Sequence, residues 1–358
     1  MLLIVNAGSS SLKLKVFDGA DEVAQASISE IGTDGQRIAL KQGLEKAGVS
    51  LSRLSGAAHR VVHGGADLTA TCRVTPDVIA RIRACVPLAP LHNPANLVGI
   101  EAVAALAPDL PQYACFDTAF HATNPDVATA YALPQAARDL GLRRYGFHGT
   151  SYAALVRVLS ARGHLPQRLL ACHLGNGASL CAIVNGRSVA TTMGYSPLDG
   201  LTMGTRTGGI DGNAVLRLAE LHGVQRAGEI LNRESGLLGL GGSNDLRALH
   251  RAGTPEAAFA LQHFTYWAVR HAGSMVAAMG GLDAVVFTGG IGENDSGIRK
   301  EILSGLAFLG VSSDPLCNDR NESVLHDPTS RVAIWIVPAE EERQIALEAQ
   351  ALLAGESV

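Results

Sequence analysis

The chain has 358 residues, a length that predicts two domains or one large domain with a core that needs no disulfide bonds. Hydrophobic residues make up 47% of it and charged residues 17%, a composition that excludes wholesale disorder. The net charge of −4 excludes a strong general attraction to nucleic acid or to an anionic membrane surface.

The cysteines and the apolar runs predict the compartment. None of the six cysteines belongs to a C-x-x-C pair, and most have apolar neighbours, so we expect reduced cysteines in the core. No run of 18 apolar residues is present, and the apolar opening at 2–5 is too short for a secretory signal. The sequence therefore predicts a soluble, cytoplasmic protein without a membrane or nucleic-acid partner.

The first predicted element is a β-hairpin over residues 2–18. The apolar run Leu2–Val5 is followed by the polar turn Asn6–Ser11 and by period-two alternation over Leu12–Phe17. Residues 169–186 repeat this pattern around another glycine-rich turn. An internal duplication explains the repeat, but strand–Gly–strand patterns are common, so chance is an equal explanation.

A third glycine-rich turn, Gly289–Asn294, follows the apolar run that begins at Ala284. Elsewhere, apolar residues spaced by about 3.6 predict helices at 97–106, 213–222 and 255–280. Strands that alternate with helices place the chain in the α/β class.

Glycine-rich turns after buried strands are suited to hold phosphate groups with backbone amides. The familiar nucleotide motifs are nevertheless absent. No Lys follows a Gly, which excludes a Walker A motif, and Gly290-x-Gly292 continues to Asp295 where a dinucleotide fingerprint needs glycine. A nucleotide would therefore be bound by loops of another fold.

Polar residues in apolar surroundings mark candidate site positions. Arg60 and Val62 share a face of a predicted strand, so a cation and an apolar wall can line one pocket; a structural ion pair of Arg60 is the alternative. His59 and His63 would lie about 13 Å apart on that strand, too far for one metal ion. Asp117 ends an apolar run, and sites of α/β proteins gather at the carboxyl ends of strands.

Similar positions recur along the chain, at Leu91–Pro94, at Arg143–Thr150 and around Arg206 in a glycine-flanked loop. Any one of them is explained equally well by a satisfied structural polar group. Their number in one α/β chain, together with three phosphate-type turns, favours a phosphoryl-transfer site.

Ten stretches over nearly the whole chain carry a family resemblance. They are Asn6–Ser11, His59–Gly65, Leu91–Pro94, Phe116–His121, Arg144–Ser151, His173–Ser179, Met203–Gly208, Glu234–Gly239, Thr288–Asn294 and Glu341-Glu342. In this order they resemble the acetokinase family, the acetate kinases of the acetate/sugar kinase, Hsp70 and actin superfamily.

The resemblance implies an α/β fold of two ribonuclease-H-like domains of the actin/Hsp70 type, with an active-site cleft between them. The first domain would comprise residues 1–120 and 344–358, and the second would comprise residues 121–343. The implied reaction is reversible, Mg²⁺-dependent phosphoryl transfer between ATP and acetate, which gives ADP and acetyl phosphate; Mn²⁺ is an alternative ion. The family also implies a homodimer formed through the second domain.

Residue roles follow from the same resemblance. The catalytic positions fall on Asn6, Arg60, His92, Asp117, His148 and Arg206. The acid-binding positions fall on Arg60, Val62, Leu91, Phe147 and Pro197. The ATP-binding positions fall on Lys13, His173, Gly175, Asn176, Gly177, Asp245, Leu246, Arg247, Gly290, Ile291, Gly292, Glu293 and Asn294. The metal positions fall on Asn6 and Glu341.

The chain departs from the family in four places. The region between Asp18 and Gly56 is shorter, and Tyr152 stands where His is expected. The loop that ends at Asp245 is one residue short, which affects the adenosine contacts. Ala339-Glu340 replaces Thr-Asn, so Glu340 and Glu342 are alternatives to Glu341 as the metal ligand.

Two functional alternatives follow. A propionate or other short-chain acyl kinase would use the same chemistry on a larger acid, although Val62 at the pocket wall favours acetate. An actin-like or chaperone-like ATPase would turn over ATP without an acid and would have no use for the pocket. The helix at 255–280 belongs either to the core or to the dimer interface.

Overall fold

A computed structural model describes residues 1–8, 11–29 and 35–355 of the chain. The chain divides into two compact units. Unit 1 consists of Met1–Ala122, Phe147–Ala154 and Glu340–Val358, and unit 2 consists of Thr123–Gly146 and Leu155–Ala339. The domain limits that the family resemblance implies stay a prediction.

Unit 1 is built on a six-stranded sheet flanked by helices. Its strands are β1 (Leu2–Ala7), β2 (Ser11–Asp18), β3 (Asp21–Ser29), β4 (Gly56–Val61), β5 (Cys72–Arg73) and β6 (Gln112–Phe116), in the order β3-β2-β1-β4-β6-β5. Its helices are α1 (Gln36–Ala47), α2 (Pro76–Ala84) and α3 (Asn93–Leu106), with the first residues of α6 (Gly149–Ala161) and the last helix, α15 (Glu341–Leu353).

The predicted first hairpin is confirmed. β1 and β2 are antiparallel, and the Gly8 amide donates to the Ser11 carbonyl over 2.8 Å at the turn. Ser9 and Ser10 of this turn lie outside the described residues. Residues 2–5 of β1 are all apolar because both faces are covered: Leu3 packs in the cluster of α1 and α3, and Ile4 packs in the cluster of α15.

Unit 2 is built on a five-stranded sheet. Its strands are β7 (Arg168–Leu174), β8 (Ala178–Val184), β9 (Arg187–Thr191), β10 (Ala284–Thr288) and β11 (Ala333–Ile336), in the order β11-β10-β7-β8-β9. Its helices, besides the end of α6, are α4 (Asp126–Thr129), α5 (Gln135–Arg138), α7 (Gly212–His222), α8 (Val224–Arg233), α9 (Gly236–Gly241), α10 (Leu246–Ala252), α11 (Pro255–Met279), α12 (Gly289–Asn294), α13 (Ser296–Gly305) and α14 (Pro315–Asp319).

The two sheets share a topology. In unit 1, β1 pairs antiparallel with β2, β2 pairs antiparallel with β3, and β1, β4 and β6 are parallel neighbours. In unit 2, β7, β8 and β9 form the same antiparallel meander, and β7, β10 and β11 are the parallel neighbours. The second predicted hairpin is thus confirmed, and the common strand order favours duplication over chance.

Helix α11 is the longest helix among the described residues. Thr254 caps its first turn, Pro255 opens it and Gly280 ends it with a left-handed backbone at φ 69°. Phe264 is buried, whereas the Tyr266 residue is 64% exposed. The helix therefore buries one aromatic face and presents another to solvent. None of the described helices is both long and apolar enough to span a membrane.

Candidate active site

The centre of the unit 1 site is the ion pair of Arg60 with Asp117. Arg60 lies near the end of β4, and Asp117 follows β6, its parallel neighbour. Arg60 Nε donates to Asp117 Oδ1 over 3.0 Å, and Nη2 donates to Oδ2 over 2.7 Å. Because Asp117 is only 2% exposed and the Arg60 side chain only 21% exposed, this is a charge pair largely shielded from water. Arg60 therefore forms the ion pair that the sequence analysis gave as the alternative. The pair lies at the carboxyl ends of β4 and β6, where sites of α/β proteins gather.

Asp117 is held by three further bonds. Its amide donates to the Val61 carbonyl over 3.0 Å, and its Oδ1 accepts from Thr150 Oγ1 over 3.1 Å. Its carbonyl accepts from the Gly149 amide over 2.8 Å, and a Cβ at Gly149 would overlap that carbonyl oxygen. Glycine is thus required where α6 begins, and Asp117 orients both Arg60 and the start of α6.

Glu341 completes the charge cluster from the first residue of α15. Its Oε2 lies 3.4 Å from Arg60 Nη1. Burial raises the pKa of the Glu341 carboxyl; Arg60 opposes this, while the charges of Asp117 and Glu342 add to it. Glu342 lies instead 3.8 Å from Lys15. The Glu341 carboxyl is therefore the one that faces Arg60.

Asn6 and Lys13 lie beside this cluster on the first hairpin. They are cross-strand partners, Asn6 on β1 and Lys13 on β2. The β1–β4 register pairs Val5 with His59, so one further step brings Asn6 next to Arg60. The charge of Lys13 lowers the pKa of Glu341, which shows that the two side chains interact. Asn6, Lys13, Arg60 and Glu341 thus belong to one neighbourhood.

The predicted acid-binding residues of unit 1 follow β4 and precede α3 and α6. Val62 is half-buried, and its amide donates to Asn96 Oδ1 over 3.1 Å. Leu91 is 43% exposed, whereas Phe147 is buried, with its ring centroid 5.5 Å from that of His63. Pro197 belongs to unit 2.

Asn96 is a positioning residue that the sequence reasoning missed. Its Oδ1 accepts from the Val62 amide, and its Nδ2 donates to the Ala7 carbonyl over 2.8 Å. One buried amide on α3 therefore joins the end of β1 to the segment after β4. The only sequence signal for Asn96 was its closeness along the chain to His92-Asn93-Pro94. Residue spacing does not reveal which backbone groups a side-chain amide bonds.

The histidines of unit 1 divide by burial. Burial lowers the pKa of His59 to about 4, although its hydrogen bond with Gln112 acts the other way. Burial likewise lowers the pKa of His121 to about 4, partly offset by a hydrogen bond with the Phe147 carbonyl. Both are neutral near pH 7, so His121 Nε2 donates to that carbonyl over 2.9 Å.

His92 and His148 are both half-buried, in contrast. His92 directly precedes α3, and its carbonyl accepts from the Asn96 amide over 3.2 Å. His148 has a φ of 59°, in the left-handed region that non-glycine residues seldom adopt. The backbone is held there by the Phe147 carbonyl bond before it and by the Tyr152 amide, which donates to the His148 carbonyl over 3.1 Å. Such strain at a polar residue is typical of functional sites.

In unit 2, the second hairpin turn packs against the loop of Arg206. The Gly175 amide donates to the Gly177 carbonyl over 3.0 Å, and the Gly204 amide donates to the Asn176 carbonyl over 3.0 Å. A Cβ at Gly204 would overlap the Asn176 side-chain oxygen. Asn176 and Arg206 are therefore brought together by backbone contact.

Arg206 is a cation whose hydrogen-bond acceptors in the described part of the chain are uncharged. Its Nη1 donates to the Pro197 carbonyl over 3.3 Å and lies 3.9 Å from Met203 Sδ. Within residues 1–8, 11–29 and 35–355, no carboxylate forms an ion pair with it. Burial lowers the pKa of Arg206. A half-buried guanidinium without a carboxylate is suited to bind an anionic group.

The remaining predicted nucleotide residues cluster at the carboxyl ends of β7 and β10. His173 pairs with Thr288 across these strands. Gly289 follows with a φ of 79°, and a Cβ there would stand 2.8 Å from the Leu174 carbonyl oxygen and 3.2 Å from His173 Nε2. Glu293 Oε1 accepts from the amides of Gly289 and Ala339 over 2.9 and 3.0 Å.

Short helix α12 and the segment around α10 are also connected. Asn294 Nδ2 donates to the Gly290 carbonyl over 2.9 Å, and nothing lies within 4 Å of a Cβ built on Gly290. Asp245 caps α10 and holds the guanidinium of Arg247 over 3.1 Å. Leu246 is buried, and His250 Nε2 on α10 lies 3.0 Å from Asp295 Oδ2, directly after α12. Ile291 and Gly292 complete α12. The two predicted adenosine segments therefore adjoin each other.

The geometry has counterparts among known proteins. A family model described as the Acetokinase family matches residues 38–347. The acetate kinase of Rhodopseudomonas palustris is 42% identical to this chain, with 97% of this chain and 96% of that protein covered. The chain belongs to the acetokinase family.

Solved structures agree with this assignment. The acetate kinase of Porphyromonas gingivalis is 34% identical to this acetokinase with a TM-score of 0.89, covering 98% of this chain and 99% of that one. A propionate kinase from Francisella tularensis is 34% identical with a TM-score of 0.91, covering 97% and 98%. The predicted α/β fold of the actin/Hsp70 ATPase type and the predicted phosphotransferase class, with a carboxyl group as acceptor, are confirmed.

Proposed function

We propose that this acetokinase transfers a phosphoryl group reversibly between ATP and acetate, giving ADP and acetyl phosphate. The observation that carries the proposal is the way in which Asp117 holds the guanidinium of Arg60. Asp117 accepts from Nε and Nη2, which fixes the guanidinium plane, while Nη1 forms only the longer 3.4 Å ion pair with Glu341 and is the nitrogen that an anionic ligand can reach. A fixed guanidinium beside half-buried Val62 suits a short carboxylic acid, whose head is anionic and whose tail is apolar.

Little acid–base work is required in this reaction. A carboxylate is ionised at neutral pH, so its oxygen attacks the γ-phosphorus without a general base. As the new O–P bond forms, the bond to the β-phosphate oxygen breaks and ADP leaves. Catalysis is then a matter of alignment and of neutralising the transferred group's equatorial oxygens.

The chain's residues divide these tasks. Arg60 binds and orients the acid, and Asp117 holds Arg60. Arg206, with no carboxylate of its own, neutralises the transferred phosphoryl group. His148 and His92 donate hydrogen bonds to it. The backbone amides of the glycine-rich turns and the residues around α10 and α12 bind the nucleotide. In this proposal the first domain (residues 1–120 and 344–358) binds the acid, and the second (residues 121–343) binds the nucleotide.

The acidic cluster of unit 1 fits Mg²⁺. Burial raises the pKa of the Glu341 carboxyl, and the charges of Asp117 and Glu342 add to this rise, so a bound cation would favour its ionised form. No group of three or more His, Cys, Asp or Glu suited to hold a metal occurs in the described residues. Mg²⁺ does not need such a group, since it takes one or two carboxylates and keeps several waters. Glu341 and Asn6 would hold it, and the same oxygen donors accept Mn²⁺. When bound, the ion would neutralise phosphate oxygens of the nucleotide.

A propionate kinase is the second candidate function. One solved relative is a propionate kinase, and its TM-score of 0.91 is close to the 0.89 of the acetate kinase from Porphyromonas gingivalis. One methylene changes transition-state binding by only about 1–3 kcal/mol, so propionate is expected to react more slowly rather than not at all. Val62 at the pocket wall favours the smaller acid.

Assembly and location complete the proposal. We place a homodimer interface on unit 2, where Phe259 and Tyr266 of α11 are 54% and 64% exposed. The compartment is the cytoplasm, since four of the six reduced cysteines are buried and the other two partly buried.

The deciding experiment measures acyl phosphate, trapped with hydroxylamine, from Mg·ATP and acetate, propionate or butyrate. Arg206→Ala is compared with Arg217→Ala, whose side chain is 66% exposed and pairs only with Glu220. We expect acid-dependent product with the highest kcat/KM on acetate, a loss of about 10²–10³ in Arg206→Ala and none in Arg217→Ala. A preference for propionate selects the second candidate, and ATP turnover independent of any acid selects an actin-like ATPase.

A further inference from the structure

Arg299 is an entirely buried cation in the first turn of α13, with 0% of its surface exposed. Its Nε donates to Asn318 Oδ1 over 2.9 Å, and its Nη1 donates to the Gly292 carbonyl over 2.9 Å. Its Nη2 donates to the Asn318 carbonyl over 2.8 Å and to Asn321 Oδ1 over 2.5 Å. Every acceptor is uncharged.

This placement is unfavourable on two counts. A buried charge is costly unless it is paired, and no carboxylate oxygen within the described ranges lies within 4 Å of the Arg299 guanidinium. A cation in a helix's first turn also opposes the helix dipole. Burial accordingly lowers the pKa of Arg299, although Asp295 and Asp319 act in the opposite direction. The four hydrogen bonds of the guanidinium offset these two costs, and they tie it to residues of separate segments.

The guanidinium of Arg299 connects the α12 segment with the segment of α14. The Gly292 carbonyl belongs to α12, the segment that follows β10, while Asn318 and Asn321 lie in and after α14. Asn318 Nδ2 also donates to the Ser296 carbonyl over 2.9 Å, so the same pair of side chains fixes both α12 and the start of α13. Asn321 is held at a φ of 53° at the far side of the guanidinium.

We propose that Arg299 is a positioning residue for the nucleotide, which holds Gly292 and thereby the orientation of the α12 segment against bound ADP or ATP. The inference rests on the proposed function, because the assignment of Gly290–Asn294 to the nucleotide belongs to it. The ligand class is a nucleoside di- or triphosphate, and the acid-binding residues of unit 1 are not involved.

Two variants test this on the full-length protein. Arg299→Lys keeps the charge but reaches fewer of the four acceptors. Asn321→Gly removes one bond at the edge of the network, and glycine adopts the left-handed backbone without strain. Arg168→Lys is the matched control, because Arg168 binds Asp283 and the Gly280 carbonyl at the opposite, amino end of β7.

The readouts are the dissociation constant of ADP by calorimetry without acid, the KM values for ATP and acetate, kcat and the melting temperature. We expect Arg299→Lys to weaken ADP binding and raise the ATP KM about tenfold, with acetate KM and saturated kcat within twofold of wild type. Asn321→Gly is expected to shift the same two constants about threefold, and Arg168→Lys to change only the melting temperature.

The proposal is overturned if both Arg299→Lys and Asn321→Gly lower the melting temperature while ADP binding is unchanged, or if the ATP and acetate KM values rise together. If Arg299→Lys does not fold, Asn321→Gly decides by the same criterion. Failure of the proposed function is recognised separately, because wild-type protein would then give no acid-dependent acyl phosphate whatever its affinity for ADP.

Discussion

The side-chain oxygen of Asn176 lies directly over the Cα of Gly204, in the space where any other residue at 204 would carry its Cβ. The Gly204 amide also donates to the Asn176 carbonyl over 3.0 Å. The phosphate-type turn of β7 and β8 and the loop that carries Arg206 therefore share one contact that only glycine permits.

Gly204→Ala is expected to separate these loops. The added methyl group displaces either Asn176 or the Arg206 loop, so kcat/KM for acetate falls about 10²-fold, the effect of losing one electrostatic contact in the transition state. Steady-state kinetics check this. Gly228→Ala is the control, because Gly228 lies within α8 with open space around a built Cβ, and it should stabilise the protein by about 0.5–1 kcal/mol. Equal activity of both variants would contradict the proposed role of the contact.

Asp117→Asn tests the fixed guanidinium. The variant keeps the shape but removes the charge that holds Arg60 Nε and Nη2, so kcat should fall about 10²–10³-fold and the acetate KM should rise. The free energy of unfolding should fall by about 3 kcal/mol, because Arg60 loses the partner that offsets its burial. Asp283→Asn breaks the ion pair of Asp283 with Arg168, at the amino ends of β10 and β7 in unit 2, and should leave kcat unchanged. A kcat as high in Asp117→Asn as in Asp283→Asn would refute the assignment.

The metal ligand is tested by comparing three neighbouring acids. Glu341→Gln should raise the Mg²⁺ concentration for half-maximal rate by at least about tenfold, since it removes the carboxylate that faces Arg60. Glu342→Gln, whose carboxylate lies near Lys15, should shift that concentration less than twofold, as should Glu340→Gln. A Mg²⁺ titration of initial rates checks all three, and a large shift in either neighbour would move the ligand to that residue.

The buried histidines predict an acid-sensitive fold. His59 and His121 have pKa values of about 4 in the folded protein and near 6.5 when unfolded, so the unfolded chain binds more protons from pH 6.5 down to 4. The stabilisation that His59 and His121 give is fully present above pH 6.5 and is lost as the pH falls from 6.5 to about 4. His121→Gln keeps an Nε2 donor for the Phe147 carbonyl but does not titrate. It should reduce the slope of unfolding free energy against pH by about 1.4 kcal/mol per pH unit.

Urea unfolding between pH 4.5 and 7 measures that slope. The double variant His59→Gln with His121→Gln should reduce the slope by twice as much, because both titrating histidines are removed. Gln at position 59 still donates to Gln112 in place of His59. Slopes identical to wild type in both variants would show that the two histidines do not control acid stability.

Val62→Ala tests the selectivity for the acid. Removing two methyl groups at the pocket wall should raise the ratio of kcat/KM for propionate over acetate about tenfold. The hydrogen bond from the residue 62 amide to Asn96 is a backbone bond and is retained. Val127→Ala, at an 89% exposed position, is the control. An unchanged ratio in Val62→Ala would exclude Val62 from the wall that contacts the acid's alkyl group.

Much of the fold was predictable because its signals are local. Period-two alternation identified β2, and the apolar runs identified β1, β7 and β10. The helix predicted at 255–280 is confirmed as α11. Most of its buried residues recur every three or four positions, which is the periodicity that predicted the helix. Its double role, with Phe264 buried and Tyr266 exposed, follows from the same periodicity.

The contacts of the candidate site were less predictable. Arg60 and Asp117 meet only because β4 and β6 are parallel neighbours, and nothing in their separation along the chain specifies that pairing. Asn96 and Arg299 were missed for a related reason. Asn96 bonds backbone groups of Val62 and Ala7, and Arg299 bonds the Gly292 carbonyl and two asparagines of a later segment; such partners leave no trace in composition or spacing.

Unit 1 is assembled from the two ends of the chain, and this has a consequence for its synthesis. Ile345 of α15 shares a core cluster with Leu2 and Ile4 of β1, a strand that is synthesised long before α15. All of unit 2 is translated before α15, so the nascent β1 keeps one apolar face uncovered until the last helix emerges. Glu341 arrives in that same helix. A ribosome stalled before residue 341 therefore holds a chain with an exposed sheet and without the second carboxylate of Arg60, a substrate for chaperones rather than a working kinase.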